Sequence, residues 1–295
     1  MNIFGHRTIR ERLLQQYIDG KVAPFLLCIG PDHVGKSTVM RRYAQVLLHR
    51  SHDMEECGTL PSAHPDLVHH TPQIVRRSSG ARTVASLGID DIRALSVPYR
   101  PHCAPYRVIL VEAADTLTPA AQNALLKVLE EPPPSTVFLF TTAHPSRILP
   151  TVRSRARVIL FHRSAPETVR AAVAADGVSG ARCKEISALA DGCIGRALRM
   201  ARDEELYRWY RDMTETGNAI VTMTTAQRCA VAAELSRDIP RAREALEVWM
   251  SLYRHRLRRH PRFATRLAVL LRTYTVLRDS TAHPRLILEA GLTAL

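Results

Sequence analysis

A chain of 295 residues, 46% hydrophobic and 23% charged, has enough material for one large core or a medium core with smaller ones. Its net charge of +13, from 41 Lys+Arg against 28 Asp+Glu, points to a polyanionic partner and says nothing about fold. No run approaches the ~20 apolar residues that span a bilayer, and the start, MNIFGHRTIR, lacks a basic-then-apolar leader, so a membrane or secreted protein is set aside and the cytoplasm is expected.

In chain order, Phe25–Ile29 is a short apolar run that reads as a buried strand, and Gly35–Leu48 is the helix after it. Leu67–His69 is a second strand. Arg76–Leu87 (RRSSGARTVASL) is polar and rich in breakers, a mobile loop, and Ile89–Val97 carries Ile89, Ile92 and Leu95 near helical spacing. Val108–Val111, Val137–Thr141 and Val158–Phe161 complete five strands. Thr118 is placed to cap a helix that opens on Pro119 and runs to Glu131, where Pro132-Pro133-Pro134 stops it. Strands alternating with helices predict an α/β fold with a parallel five-stranded sheet. Beyond Phe161 the strand signals end. Pro166–Arg202 reads as two or three short amphipathic helices turned at Asp191–Gly195, and Glu204–Leu295 as helix punctuated at Gly217, Pro240, Pro261 and Pro284. The expected pieces are an α/β domain at 1–162, a small helical domain at 163–204 and an all-α domain at 205–295.

The cysteines (Cys28, Cys57, Cys103, Cys183, Cys193, Cys229) show no paired spacing, so no disulfide framework is expected. Cys28 and Cys193 sit among apolar or small residues, as reduced buried thiols do. Lysine occurs only at Lys21, Lys36, Lys127 and Lys184, so a lysine retained amid so many arginines carries information.

Lys36 stands in Gly30-Pro-Asp-His-Val-Gly-Lys-Ser37, which matches G-x-x-x-x-G-K-[ST] between a strand and a helix. Gly30 and Gly35 permit the tight backbone that turns amides toward phosphate oxygens. Lys36 reaches the β- and γ-phosphates, Ser37 supplies a hydroxyl to Mg²⁺, and Thr38 joins them in the helix's first turn. The implied ligand is ATP or ADP with Mg²⁺. The neighbouring strand should then end on acids that hold the metal and activate water. Val108–Val111 ends at Glu112, but Ala113 and Ala114 follow, and Asp115 falls a turn too late to act as the base, with stabilisation of the turn into the Thr118 helix as its expected role.

The stretch Ala114–Val158 (ADTLTPAAQNALLKVLEEPPPSTVFLFTTAHPSRILPTVRSRARV) resembles the clamp-loader subunits of bacterial DNA polymerase III, the gamma/tau and delta-prime subunits, which belong to the AAA+ ATPases. APFLLCIGPDHVGKST near the start, HPDL (His64–Leu67), GIDDIRAL (Gly88–Leu95) and the final HPRLILEAGL extend the resemblance over nearly the whole chain, and the last helix favours delta-prime. The resemblance implies an AAA+ domain, a helical lid and a helical collar. It also implies partnership with gamma/tau and delta subunits in a hetero-pentamer that loads the sliding clamp onto primer–template DNA gripped by its backbone.

Departures from the family pattern narrow that role. Glu112-Ala113 replaces the Asp-Glu of active gamma-type subunits, and the lid's sensor arginine position is filled by Gly195, with Arg196 one residue late. Binding of nucleotide with little or no hydrolysis is expected. A working gamma/tau-type ATPase motor is the alternative. Thr142 matches the γ-phosphate sensor, yet a strand threonine needs no such explanation. Arg153-Ser154-Arg155-Ala156 corresponds to the family's Ser-Arg-Cys motif with Ala156 in place of the cysteine, and the resemblance implies that Arg155 is an arginine finger acting on the next subunit. Relatives carry four zinc-binding cysteines before HPD. Here only Cys57 remains, with His52, His64, His69 and His70 nearby in no standard spacing, and zinc is not expected. The basic run Tyr253–Arg262 suits phosphate contact, a solvated helix face or an acidic partner subunit, and the resemblance favours a place in the collar over direct DNA contact.

Overall fold

The computed structural model describes residues 3–54, 60, 64–71, 74–76, 82–84, 100–257, 260–279 and 282–295. Cys57, the expected helix Ile89–Val97, Arg258 and Arg259 lie outside them. The chain forms two compact units, one of residues 1–73, 85–179 and 192–198, the other of residues 74–84, 180–191 and 199–295. The segment 163–204 therefore contributes to both.

The first unit is built on β1 (Phe25–Ile29), β2 (Leu67–His70), β5 (Arg107–Val111), β6 (Thr136–Thr142) and β7 (Arg157–Leu160), in the spatial order β2-β5-β6-β1-β7 and all parallel. Each expected strand is present to within a residue at either end. Side chains alternate across the sheet. Leu26, Cys28, Val108, Leu110, Val137 and Leu139 face one core, and Phe25, Leu27, Ile109, Val111, Phe138 and Phe140 face the other. A sheet buried on both faces needs helices on both, and this explains why its strands read as unbroken apolar runs. Val39, Met40, Tyr43 and Leu47 of α2 (Lys36–His49) cover the first face, together with Leu13 of α1 (Arg7–Ile18). Ala121, Leu125 and Leu129 of α3 (Pro119–Glu130) cover the second. Thr118 caps α3 as expected, accepting from Ala121 N at 3.2 Å.

Two elements differ from expectation. Helix α1 carries no strong amphipathic signal and was not anticipated. Overlapping the stretch Arg76–Leu87 read as a mobile loop, β3 (Ile74–Arg76) and β4 (Arg82–Val84) pair antiparallel, Ile74 opposite Val84. The β-branched Ile74, Val75, Thr83 and Val84 favour extended backbone, a preference that the polar composition between them hid.

Helices α4 (Pro150–Arg153), α5 (Pro166–Ala175), α6 (Gly180–Ala190) and α7 (Ile194–Arg202) follow the sheet. The helices after them are α8 (Glu204–Ala219), α9 (Thr225–Leu235), α10 (Ile239–Leu257), α11 (Phe263–Asp279) and α12 (Pro284–Thr293). Pro284 opens α12, and Pro240 sits in the first turn of α10. Gly217, expected to interrupt a helix, lies inside α8. A Cβ there would stand 2.3 Å from Trp249 Cδ1, so the missing side chain admits the largest fully buried ring in the chain. The Trp249 indole N–H donates to Met213 O at 2.7 Å, and Tyr253 OH donates to Gly217 O at 3.0 Å, which satisfies both polar tips. Among the described residues no helix is long and apolar enough to cross a membrane.

Candidate functional site

Parallel register brings the carboxyl ends of the strands to one edge, with Ile29 beside Thr142, Val111 beside Phe140 and His70 beside Val111. Open parallel sheets bind ligands at this edge. Gly30 leaves β1 with its N–H on Thr142 O at 3.2 Å, and the chain enters α2 through His33 and Gly35, both in left-handed backbone at φ 59 and 114. At φ 114 a side chain would be strained, so glycine belongs there. Gly35 is the N-cap of α2 and offers no side-chain cap, and no acid stands in the first turn. The first-turn amides and the helix dipole therefore present an anion-binding end.

Lys36 is 7% exposed, and its ammonium donates to Gly30 O and Pro31 O, both at 2.7 Å, with Asp32 Oδ1 at 3.9 Å. Burial lowers its pKa, opposed by the charges of Asp32 and Asp115. Ser37 is half-buried and Thr38 exposed. Two contacts that sequence reading missed brace the loop. The His6 Nε2–H donates to Val34 O at 2.9 Å, and the Gly195 N–H donates to His33 O at 2.8 Å. A Cβ on Gly195 would stand 2.9 Å from that same oxygen. A sensor arginine at 195 would press on the loop, whereas glycine lets the first turn of α7 bond to it. Arg196 is 2% exposed.

Glu112 follows β5 and is 6% exposed. Arg41, one turn beyond Ser37 on α2, grips it with two bonds, Nε to Oε1 at 2.7 Å and Nη2 to Oε2 at 2.9 Å. His69 Nε2 lies 2.7 Å from Oε1. Burial alone would raise the carboxyl's pKa. Hydrogen bonds from His69 and Arg41, the Arg41 charge and a bond from Ser37 together bring it down to about 2. Sequence reading missed Arg41 as a site residue. Its only signal was the i, i+4 spacing from Ser37, which places both on one helix face.

Asp115 is not where strand register put it. Ala113 takes left-handed backbone at φ 52, rare for alanine, and folds the chain back into a 3₁₀ turn at Ala114–Thr116. The carboxylate of Asp115, 9% exposed, accepts from the Thr142 hydroxyl at 2.7 Å, and its charge reaches Lys36. The turn itself is tied by Thr116 Oγ1 donating to Ala113 O at 2.8 Å. Asp115 thus belongs to the loop's surroundings, a correction to the turn-stabilising role expected for it. The Thr142 oxygen also accepts from His144 N at 3.0 Å.

Arg155 lies past the end of α4, away from these groups in sequence and bonded elsewhere. Its Nη1 donates to Thr151 O at 2.9 Å and its Nη2 pairs with Glu130 Oε1 at 2.5 Å.

The loop and first-turn amides fit a phosphate. A magnesium ion fits poorly, because Glu112, one of its two expected protein donors, is already taken up by Arg41 and His69. Of the residues weighed for zinc, Cys57 lies outside the described residues, and His64 joins a potential ligand group with Asp66 and Cys103. Its Asp66 carboxylate is occupied by the N–H groups of His102, Cys103 and Ala104 at 2.6, 2.9 and 2.8 Å, which together with a bond from the Cys103 thiol outweigh burial and hold its pKa near 2. Cys28 is fully buried, and burial pushes its thiol up to about 12. In the basic run, Arg256 and Arg262 stand over the Phe263 ring, each at 5.6 Å, and Arg266 beyond the run does so at 5.5 Å.

Residues 5–165 match the family described as DNA polymerase III, delta subunit. Over 181 residues the chain is 34% identical to the DNA polymerase III subunit gamma/tau of Mycobacterium tuberculosis, covering 58% of this chain and 30% of that one. Over 173 residues it is 32% identical to the DNA polymerase III subunit delta' of Escherichia coli, covering 55% and 48%. The chain thus matches less than half the length of these curated relatives. A solved DNA polymerase III, gamma subunit-related protein from Thermotoga maritima superposes with a TM-score of 0.50 at 18% identity, covering 96% of this chain and 97% of that one. That likeness carries the fold, a parallel five-stranded sheet followed by helices.

Proposed function

The chain belongs to the DNA polymerase III, delta subunit family, and on that premise we propose that it is a delta-prime-like clamp-loader subunit that holds a nucleotide and hydrolyses it poorly or not at all. The observation that carries this reading is the pairing of an intact phosphate loop with a spent acid. Lys36 and the uncapped first turn of α2 suit a phosphate. Glu112 is consumed by Arg41 and His69, and Ala113 has no group to take a proton from water. ATP or ADP would lie with its phosphates at Gly30, Gly35, Lys36, Ser37 and Thr38, with Thr142 near the terminal phosphate.

In this reading the three pieces 1–162, 163–204 and 205–295 are nucleotide-binding, lid and collar domains, and the setting is cytoplasmic. Gamma/tau and delta subunits flank the chain in a ring that acts on the sliding clamp. Arg155 serves a neighbour's site, and its exposed pairing with Glu130 is weak enough to exchange for a phosphate. Primer–template DNA is held through its backbone, with the arginines around Phe263 as one cationic surface. The second reading, a gamma/tau-type motor, draws on Asp115, an acid bonded to Thr142 within the influence of Lys36.

Reconstitution tests the proposal. The chain is expected to co-purify with gamma/tau and delta subunits as a discrete complex, and clamp loading on primed DNA should be lost when it is omitted. Failure to join the complex, or loading that proceeds unchanged without it, overturns the assignment.

A further inference from the structure

We propose that Arg41 stands in for the divalent cation, so that the loop takes the phosphates of a nucleotide without a metal ion held by this chain. The inference rests on the nucleotide reading above and deepens it. A phosphate loop that recruits magnesium presents a hydroxyl at the start of its helix and an anionic carboxylate across from it, both with lone pairs open. Here Ser37 supplies the hydroxyl and Glu112 the carboxylate, but a guanidinium already lies on that carboxylate. Its two bonds engage both oxygens, at 2.7 and 2.9 Å. His69 occupies Oε1 as well, at 2.7 Å. Ser37 also helps lower the pKa of that carboxylate, so the hydroxyl lies within its electrostatic reach.

Charge leads to the same conclusion. A carboxylate draws a cation through its negative charge, and a bidentate arginine cancels that charge on the spot. The neutralised pair has little left with which to attract a hydrated magnesium ion, which gives up its water reluctantly. Arg41 is well placed for the substitution. It follows Ser37 by four residues on α2, so its guanidinium reaches the strand-end acid from the face that carries the hydroxyl. Its side chain is 46% exposed, whereas Glu112 is 8% exposed, so the cation is set on the solvent side of a buried anion. A metal ion bound to a nucleotide in solution would come in with the phosphates and gain no ligand from the protein.

Equilibrium dialysis of labelled ATP against the purified chain, in magnesium and in excess EDTA, tests this. The dissociation constants are expected to agree within about twofold. Glu112→Gln should leave the ratio of the two values unchanged, because the carboxylate holds no metal. Arg41→Met should create a requirement for magnesium, with binding in EDTA weaker by about tenfold or more, as the uncovered carboxylate recruits the ion and repels bare phosphates. Should Arg41→Met fail to fold, Arg41→Lys, which keeps the charge and loses the fork, is expected to shift the ratio in the same direction. Wild-type binding that weakens by tenfold or more in EDTA, with the dependence abolished by Glu112→Gln, overturns the inference and leaves the nucleotide reading standing. Absence of binding in both buffers overturns the nucleotide reading and this inference with it.

Discussion

Arg155→Ala is expected to lower ATP hydrolysis in the reconstituted ring by about 10³–10⁵-fold at the neighbouring site, the range seen when a transferring phosphoryl group loses an arginine supplied in trans. The same change should cost this chain less than about 1 kcal/mol of stability, since the pair it breaks is exposed. Arg155 and Glu130 are 35% and 52% exposed, and the second contact of Arg155 goes to the Thr151 carbonyl in the short helix just before it. That combination distinguishes a residue kept for a neighbour from one kept for the fold. Arg155→Lys retains charge without the planar fork and should restore a small part of the rate. Glu130→Gln removes the intramolecular partner and should leave the rate intact or raise it. A ring in which Arg155→Ala hydrolyses ATP at the normal rate would reduce Arg155 to a surface arginine. Steady-state hydrolysis and thermal melting on the same preparations separate these outcomes.

Arg41→Met is expected to destabilise the α/β unit at neutral pH and to do so through a carboxylate. Glu112 titrates near 2 in the folded chain against an ordinary 4.5, a shift that corresponds to about 3 kcal/mol for the whole network of His69, Arg41 and Ser37. Arg41 is half in solvent, so its own share is discounted to about 2 kcal/mol. The folded-state pKa lies below the unfolded one. The stabilisation is therefore complete above pH 4.5 and is lost as pH falls through that value toward 2. Urea midpoints should show wild type losing stability across this window and Glu112→Gln losing less there. The gap between wild type and Arg41→Met should close as Glu112 becomes protonated. A gap that stays constant down to the acid limit would mean that Arg41 acts through packing and not through the Glu112 charge.

The five strands were legible because a sheet covered on both faces demands apolar residues at every position, so each strand appears as a run with sharp ends. The phosphate loop was legible because its spacing reflects backbone geometry that few other residues permit. What escaped was set by approaches between distant segments. Arg41 and Glu112 are 71 residues apart, and nothing local to α2 marks Arg41 among so many arginines. Asp115 was misplaced because strand register extrapolates a straight chain, whereas Ala113 at φ 52 turns it back toward Thr142. Gly217 looked like a helix stop because glycine commonly is one, and its true role depends on a tryptophan brought against it from α10. Helix α1 escaped because its mostly polar sequence buries Leu13 alone.

Single-turnover hydrolysis shows whether the nucleotide is held without being turned over. Purified chain in excess over labelled ATP, with magnesium present, is sampled for both bound nucleotide and product. The label is expected to stay bound and to remain ATP over many minutes. Rapid conversion of bound ATP to ADP would contradict that expectation, and would make Asp115, bonded to Thr142 beside the loop, the first residue to test as the catalytic base.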